Sequence, residues 1–283
     1  MKQWRHQYPV DVMAHVFAVS RSGFYTWRKG MPSARAQEDE RLKVAIRAAH
    51  TGSRETDGVR RLQPELASAG CVAGRDRIAR WRRERGLRGR QQRKFKATTH
   101  ANPTLPVAAN RLDQPFSPTA PHQVWVTAIT YLPTDQGWLY LAGLQDVFTG
   151  EIVGDAMGDR MTQELTARAL LRAVQQQRPP AGLIHHADRG RQYGAHDDRA
   201  LVDPCGLRAS MSRQGNGYDH APMESFWGSL KNELVHHRRC ATRTEADSAI
   251  REYIEIGYNR QRRHSRLGDV APAIFVQNLS NAA

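Results

Sequence analysis

The spacing of hydrophobic positions changes along the chain near residue 122. Residues 123–132 and 138–147 alternate between apolar and polar side chains, which is typical of strands with one buried face. The turn formers between them, Pro133 to Gly137, predict that the two segments pair as a hairpin. Residues 150–157 follow as a third predicted strand, so consecutive strands open this part of the chain.

Helices and strands alternate after the third predicted strand. Thr162 is placed to cap a helix whose inward side chains are Leu165, Ala169, Leu170 and Val174. A buried parallel strand over 183–187, a helix near 195–203 and a short strand over 207–211 come next. Consecutive strands followed by alternating helices and strands predict a mixed-sheet α/β domain.

An amphipathic helix is predicted from Pro222, a first helical residue that needs no N–H donor, with Asp219 ahead of it as a capping acid. Its buried stripe consists of Met223, Phe226, Trp227, Leu230 and Leu234. Glu224 and Lys231 lie seven residues apart on the neighbouring stripe and therefore share one face. Gly228, one turn after Glu224, leaves that face open.

The first hundred residues carry helical patterns instead. In residues 11–29, Val12, Val16 and Phe17 indicate a first helix, and Ser20 is placed to cap a second one after a short turn. This pattern predicts a helix–turn–helix, and a helical hairpin that only packs is the alternative. Its outward residues would be Arg21, Arg28 and Lys29.

A further helix and a second helix–turn–helix are predicted beyond that unit. Leu42, Val44 and Ile46 indicate a helix over 36–50. A helix with Leu62 and Leu66 then leads through a glycine-bounded turn into a strongly basic helix over 75–85. Ile78 and Trp81 of the basic helix are expected to face inward.

Proline-rich sequence separates the helical region from the α/β region. The five prolines of residues 101–121 predict an extended linker. We therefore expect a helix–turn–helix over 1–32, a basic helical DNA-binding domain over 33–100, this linker, and an α/β core with a C-terminal helix over 122–283.

Positive charge is concentrated in the first third of the chain. The formal net charge is +14, and residues 1–100 hold 23 Lys and Arg against 9 Asp and Glu. Such a block predicts a polyanionic partner, because phosphate contacts dominate non-specific affinity for nucleic acid; a solvated charged helix face is the alternative. The expected phosphate contacts here, in addition to the outward basic residues of the first helix–turn–helix, are Arg75, Arg82, Arg83, Arg88, Arg90, Arg93, Lys94 and Lys96.

Other compositional features narrow the class of protein. No run of 18 apolar residues and no signal peptide is present, so a cytoplasmic protein without a membrane partner is expected. Cys71, Cys205 and Cys240 are scattered and odd in number, which favours reduced structural thiols.

Two carboxylates are candidates for chemistry. Asp188 follows a short buried strand and precedes a glycine-containing turn, and Glu224 lies on the amphipathic helix. Carboxylate oxygens with open positions suit Mg²⁺, which phosphoryl-transfer enzymes use in pairs. On spacing alone, solvated surface carboxylates are the other interpretation. Arg189 and Arg191, beside Asp188, either contact a phosphate or lie on a plain surface.

Short sequence motifs, which occur in order along the whole chain, indicate a resemblance to a known family. They are Val-Ser-Arg-Ser-Gly-Phe-Tyr at 19–25, Arg-Lys-Phe-Lys at 93–96, Gly-Trp-Leu-Tyr-Leu-Ala at 137–142, His-His-Ala-Asp-Arg-Gly at 185–190, Ser-Met-Ser-Arg-Gln-Gly-Asn at 210–216, Met-Glu-Ser-Phe at 223–226 and Tyr-Asn-Arg-Gln-Arg-Arg-His-Ser-Arg-Leu-Gly at 258–268. The chain resembles the transposases of the insertion-sequence-three family, specifically the product of their second reading frame.

The resemblance implies a retroviral-integrase-like, ribonuclease-H-type core. Its signature is two Asp and a Glu, with 35 residues between the second Asp and the Glu and a basic residue seven after the Glu, which Asp188, Glu224 and Lys231 match. The family implies a two-metal site with Mg²⁺, for which Mn²⁺ is a substitute, and Asp188 and Glu224 as catalytic metal ligands. Lys231 would lie near the DNA. The implied reaction is nicking at the ends of the element, followed by strand transfer into target DNA.

The resemblance also implies partners. They are double-stranded DNA, as the terminal repeats and as the target, further copies of the chain that pair two ends, and a first-reading-frame subunit or fusion. Such a protein is expected in the bacterial cytoplasm, in association with the nucleoid.

One departure from the family pattern bears on activity. The first Asp of the signature should fall in the strand over 124–131, where this chain has Ala128. We therefore expect a transposase whose chemistry is disabled, since little besides positioning and charge stabilisation supplies the rate of phosphoryl transfer. Asp146 is the nearest acid by strand pairing. Asp57, where the family usually has an aromatic residue, is expected to weaken packing or DNA contact locally.

Two other classes of function stay open. A non-enzymatic DNA-binding regulator would bind ends without cleaving them, and a structure-specific nuclease on the same fold would cut branched DNA without strand transfer. The C-terminal segment also has two interpretations. It is either a helix that closes the core or an additional contact to DNA or another subunit through Arg260, Arg262, Arg263, His264 and Arg266.

Overall fold

The computed structural model describes residues 1–30, 32–90, 110–112, 117–187, 202–212 and 221–282. The chain forms two compact units, the first comprising Met1–Gly52 with Leu62–Leu87 and the second comprising Ser53–Arg61 with Arg88–Ala283. Within the described ranges, no helix is long and apolar enough to cross a membrane.

The described part of residues 1–90 is helical, as predicted. The helices are α1 (Val10–Val16), α2 (Arg21–Arg28), α3 (Ala34–Gly52), α4 (Val59–Ser68) and α5 (Arg75–Glu84). The hydroxyl of Ser20 accepts from the backbone N–H of Gly23 at 2.9 Å, which confirms the predicted cap of α2. The helices α1 and α2 span residues 10–28, where the first helix–turn–helix is predicted over 11–29, and α4 and α5 lie where the second one is predicted.

The buried side chains of these helices differ in part from the predicted ones. Met13, Ala14 and Phe24 form the small core of α1 and α2, whereas Val16 is 70% exposed. A helix of only seven residues buries too narrow a stripe to cover every apolar position. In the longer helices the prediction is confirmed for the fully buried residues Leu42, Ile46, Leu62, Leu66 and Ile78.

A five-stranded mixed sheet forms the centre of the second unit. Its strands are β1 (Val124–Thr134), β2 (Gly137–Asp146), β3 (Ile152–Gly158), β4 (Ile184–Ala187) and β5 (Arg208–Met211). Their order is β3-β2-β1-β4-β5, with β1, β2 and β3 antiparallel and with β4 parallel to both β1 and β5. The predicted hairpin, third strand and parallel strand are all confirmed.

Helices cover both faces of this sheet. On one face α6 (Gln163–Gln177) packs Leu165 and Ala169 against the side of β1 that carries Trp125. Gly154 permits this contact, because a Cβ there would lie 2.6 Å from the Ala169 carbonyl oxygen and from the Ala173 Cβ. The other face is covered by α7 (Ala221–Glu233), so the sheet is buried on both sides.

The C-terminal segment closes the core. After α8 (Arg243–Glu252), residues Tyr253–Gln261 form a π-helical segment, and α9 (Pro272–Ala282) follows. The Asn259 amide accepts from the Ile152 N–H and donates to the Ile152 carbonyl oxygen, both at 2.9 Å, and so pairs with β3 like another strand residue. Arg266 donates to the Val147 carbonyl oxygen. These contacts support the interpretation of a segment that closes the core.

Candidate active site and DNA-binding surface

Glu224 lies in the first turn of α7 with an exposed side chain. Met223 and Phe226 are fully buried against the sheet, and this burial turns Glu224 away from the core. A carboxylate in a first helical turn is also favoured by the positive end of the helix dipole. A Cβ on Gly228 would have no heavy atom within 4 Å, so the helix face beside Glu224 is open, as predicted.

Position 128 lies on the side of the sheet that α7 covers. Ala128 is half-buried, pairs in register with Gly143 of β2, and packs against the cluster that contains Met223 and Phe226. Directly opposite residues of paired strands share one face. A Cβ on Gly143 would lie 2.9 Å from Trp227 and 3.2 Å from Met223, which identifies that face as the α7 face.

The strand that leads to Asp188 runs beside β1. The last described pair of β1 and β4 is Val126 with His186, and β4 ends at Ala187. Asp188, Arg189 and Arg191 themselves lie outside the described residues. Position 128 follows Val126 by two residues, and Asp188 follows His186 by two residues, so both come equally far after this pair in the sequence.

Lys231 lies two turns along α7 from Glu224, and the unbroken helix puts both on the same side. Burial lowers the pKa of the Lys231 ammonium. Its Nζ is 5.4 Å from the centre of the Tyr131 ring on β1, within the range of a cation–π contact. The amine therefore lies beside the part of β1 that continues beyond Ala128.

The carboxylate of Asp146 is fully engaged in hydrogen bonds to the backbone. Its side chain accepts from three backbone N–H groups, those of His122 at 2.7 Å, Phe148 at 2.9 Å and Thr149 at 2.8 Å. It is fully buried and pairs in register with Trp125, not with Ala128. A carboxylate held in this way stabilises the turn between β2 and β3, and we exclude it as a replacement for the missing Asp.

Apart from Arg82, the predicted phosphate contacts of the N-terminal region divide into three groups. Arg28, Lys29, Arg83 and Arg88 are exposed, as the prediction requires. Other exposed residues have partners within the protein: Arg21 pairs with Asp11, Arg75 with Gln63 and Arg90 with Glu55. Arg93, Lys94 and Lys96 lie outside the described residues.

Arg82 requires a correction. It was expected to face outward, but its side chain is buried, with a residue exposure of 8%. The reason is the helical period: Arg82 follows the fully buried Ile78 by four positions and therefore lies on the inner face of α5. Arg77 of the same helix is also engaged, with Asp39 of α3 at 2.7 Å.

Asp57, which was expected to weaken packing or DNA contact locally, has a partner within the protein. Its carboxylate accepts from Arg61 at 2.7 Å, one helical turn away. Sequence analysis also missed Glu233, the last residue of α7, which binds Arg61 and Arg262. The available signal was an acid at a helix C-terminus, where the dipole disfavours it unless cations are near.

Comparisons with known proteins agree with this architecture. The integrase core domain model matches residues 118–217 and again residues 224–278, and the HTH-like domain model matches residues 37–95. A 31 kDa protein of insertion element IS600 from Shigella sonnei is 62% identical over 93% of this chain and 97% of its own length. The transposase InsF for insertion sequence IS3A from Escherichia coli strain K12 is 38% identical over 96% of both chains.

A comparison with solved structures finds a likeness to a viral integrase core. The HTLV-2 integrase catalytic core domain in complex with magnesium is 17% identical, with a TM-score of 0.45 over 55% of this chain and 96% of that one.

The mixed sheet with α7 across it, together with the domain matches, defines a protein with an integrase-type, ribonuclease-H-like core and an HTH-like domain. Proteins of this class are polynucleotidyl transferases. The chain belongs to the IS3 family of transposases, and it is a DNA transposase by family.

Proposed function

We propose that the reaction centre of this transposase lies beside the first turn of α7, at position 128 in the middle of β1 and just after the end of β4. Asp188 and Glu224 are the two remaining members of a three-carboxylate site. Ala128 occupies the position of the third and disables DNA strand cleavage and strand transfer.

One observation carries this proposal. Position 128 lies on the α7 side of the sheet, opposite Gly143, whose close neighbours Met223 and Trp227 flank Glu224 on both sides in the sequence. A longer side chain at position 128 would therefore extend towards the helix that carries Glu224. The sequence position of Asp188, just after the strand that pairs with β1, supports the same site.

Divalent metal is part of the proposal, as Mg²⁺ with Mn²⁺ as a substitute. The donor set of this chain does not fit a pair of such ions. Ala128 offers a methyl group where a shared carboxylate is needed, and the carboxylate of Asp146 is held by backbone N–H groups. Metal sites of this kind need oxygen ligands, so we expect the chain as it stands to bind DNA without cutting it.

The remaining residues bind and orient DNA in this proposal. The exposed basic side chains Arg28, Lys29, Arg83 and Arg88 contact phosphates and position the duplex without reading its sequence. Lys231 contacts DNA beside Glu224. The substrates are the terminal repeats of the element and a target duplex, bound in the bacterial cytoplasm by several copies of the chain, with a first-reading-frame subunit or fusion as a further partner.

The test is strand cleavage and strand transfer on the cognate end DNA with Mg²⁺. We compare the chain with Ala128→Asp and with Ala128→Asn, which has nearly the same shape but no charge. Only Ala128→Asp is expected to nick and join DNA, at a rate about 10³-fold or more above the other two, because charge stabilisation supplies most of the acceleration in phosphoryl transfer. All three proteins are expected to bind the ends equally.

Metal-dependent stability gives a readout that needs no activity. The melting temperature of Ala128→Asp should rise with Mg²⁺ concentration, because a ligand bound only by the folded state stabilises it. Activity of the unaltered chain would refute the site assignment. Tight end binding by all three proteins, with neither cleavage nor a metal-dependent melting shift, would instead favour the DNA-binding regulator, and cutting of branched DNA without joining would favour the nuclease.

A further inference from the structure

Glu233, the last residue of α7, joins separate segments of the second unit through one carboxylate, and its side chain is only 12% exposed. Arg262 Nε donates to both of its oxygens, at 3.0 and 3.1 Å. The Tyr253 hydroxyl donates at 2.8 Å and Arg61 Nη1 at 3.1 Å. The end of α7 is thus bound both to the segment Ser53–Arg61 and to the C-terminal region.

Arg262 holds α7 at two points one helical turn apart. In addition to its bonds with Glu233, its Nη2 donates to the Ser229 hydroxyl at 2.9 Å. The guanidinium is planar, so its donors are fixed relative to one another. An arginine that binds residues i and i+4 of a helix therefore limits both rotation about the helix axis and sliding along it. Ser229 lies between Glu224 and Lys231 in the sequence.

The charges around Glu233 balance. A carboxylate at the C-terminal end of a helix is disfavoured by the helix dipole, and Arg61 and Arg262 compensate for this. Asp57 pairs with Arg61 at 2.7 Å and brings the cluster to two cations and two anions. The contacts of this network given above involve neither Glu224 nor position 128, so within the described residues its route to the reaction centre is the placement of α7.

We propose that Arg262 and Glu233 are positioning residues, which hold the C-terminal half of α7 so that Glu224 and Lys231 face the reaction centre. This inference rests on the proposed function, because it assumes that Glu224 is a metal ligand. Apolar packing anchors α7 to the sheet, and the Arg262 contacts set its angle. Misplacement of a reacting group by ~1 Å costs about 10²-fold in rate.

The test uses Arg262→Lys in the Ala128→Asp background, because lysine keeps the charge but lacks the two-pronged geometry. Arg239→Lys in the same background is the matched control. Arg239 Nε also donates to both oxygens of a carboxylate, that of Asp135 at 2.9 and 3.2 Å, but from a loop after α7. The measurements are the Mn²⁺ dissociation constant by titration calorimetry, and kcat and KM for end cleavage with Mg²⁺.

Arg262→Lys is expected to weaken Mn²⁺ binding about tenfold and to lower kcat about 10- to 100-fold, while KM for end DNA stays within about twofold. Arg239→Lys is expected to leave all three quantities within about twofold of the parent. Unchanged Mn²⁺ affinity and kcat in Arg262→Lys would overturn the inference. A change in KM alone would also overturn it, because that result identifies Arg262 as a DNA contact.

A second variant guards against loss of folding. If Arg262→Lys does not fold, Glu233→Gln, which keeps an acceptor oxygen but removes the charge, must show the same reduction in Mn²⁺ affinity and kcat. If the Ala128→Asp parent binds no Mn²⁺, both the proposed function and this inference fail. If the parent binds Mn²⁺ and both variants bind it equally well, only the positioning role is refuted.

Discussion

The two ends of α7 differ in whether the carboxylate there has partners among the described residues. At the first turn, Glu224 is exposed and the facing strand offers Ala128, a side chain without a ligand atom. At the last turn, every oxygen of Glu233 has a donor, and Arg61, Tyr253 and Arg262 converge on it. The carboxylate that we propose is missing at Ala128 therefore has no counterpart at the last turn, where the charge of Glu233 is fully paired.

We expect substitutions at the first turn of α7 to change the reaction and substitutions at the last turn to change the stability of the fold. Removal of a carboxylate from the neighbourhood of Glu224 relieves like-charge repulsion and costs the fold little. Loss of a partner from the Glu233 cluster would instead leave a charge buried and uncompensated, which is strongly destabilising. A single substitution at position 128 should therefore restore the chemistry without repair elsewhere, and Asp57, now seen as part of the cluster, is no sign of structural damage.

The largest expected effect is at the first turn of α7. Adding Glu224→Gln to Ala128→Asp should lower the rate of end cleavage by about 10³-fold or more, because a ligand of the reaction centre is lost. Its melting temperature without metal should not fall, since Glu224 is exposed. If the double variant keeps its cleavage rate, Glu224 is not a ligand of the reaction centre, and the distinction between the two ends of α7 is wrong.

The next effect is on stability and concerns the last turn. Glu233→Ala should lower the free energy of unfolding by about 3 kcal/mol, because Arg262 and Arg61 lose a shared buried partner. Urea denaturation of the otherwise unaltered chain measures this directly. As the comparison, Glu224→Ala should change the same quantity by less than about 0.5 kcal/mol, as exposed substitutions usually do. Equal losses at both ends would contradict the distinction drawn here.

The smallest effect is the pH dependence of stability through His264, whose Nε2 lies 3.5 Å from Arg262 Nη1 of the cluster. Burial, with further contributions from Arg262, Arg61 and Arg266, lowers the pKa of His264 from 6.5 to about 3. The unfolded chain therefore binds a proton at higher pH than the folded one does. The stability due to neutral His264 is fully present above pH 6.5 and declines as the pH falls towards 3.

Between pH 7 and pH 5 this loss amounts to about 2 kcal/mol from His264 alone. Unfolding titrations at the two pH values should show a smaller difference for His264→Asn than for the unaltered chain. The raised pKa of Asp57, which burial causes, contributes in the opposite direction as the pH falls through that pKa. An identical pH dependence in both proteins would show that His264 is not buried in neutral form.

The elements of the core were predictable because their patterns are local. The hairpin over β1 and β2 and the helix with Met223, Phe226 and Leu230 inward follow from periodicity and turn residues. The prediction that Arg82 faces outward was wrong, because Arg82 shares the inner face of its helix with Ile78 and its charge alone does not decide its burial. The Glu233 cluster was missed because its members are far apart in the chain: Arg61, Glu233 and Arg262.

The sequence by itself determined the family, the α/β class and the concentration of positive charge, since each is a property of residue identity, order and spacing. The loss of a carboxylate at Ala128 is a prediction from the same kind of pattern. Only the tertiary structure decided that position 128 faces the helix of Glu224 and that Asp146 is held in a turn. It also decided that Arg262 donates hydrogen bonds to two residues of α7. The physical reason is that faces, burial and long-range pairing depend on how strands and helices pack. Residues distant in the chain share no local signal.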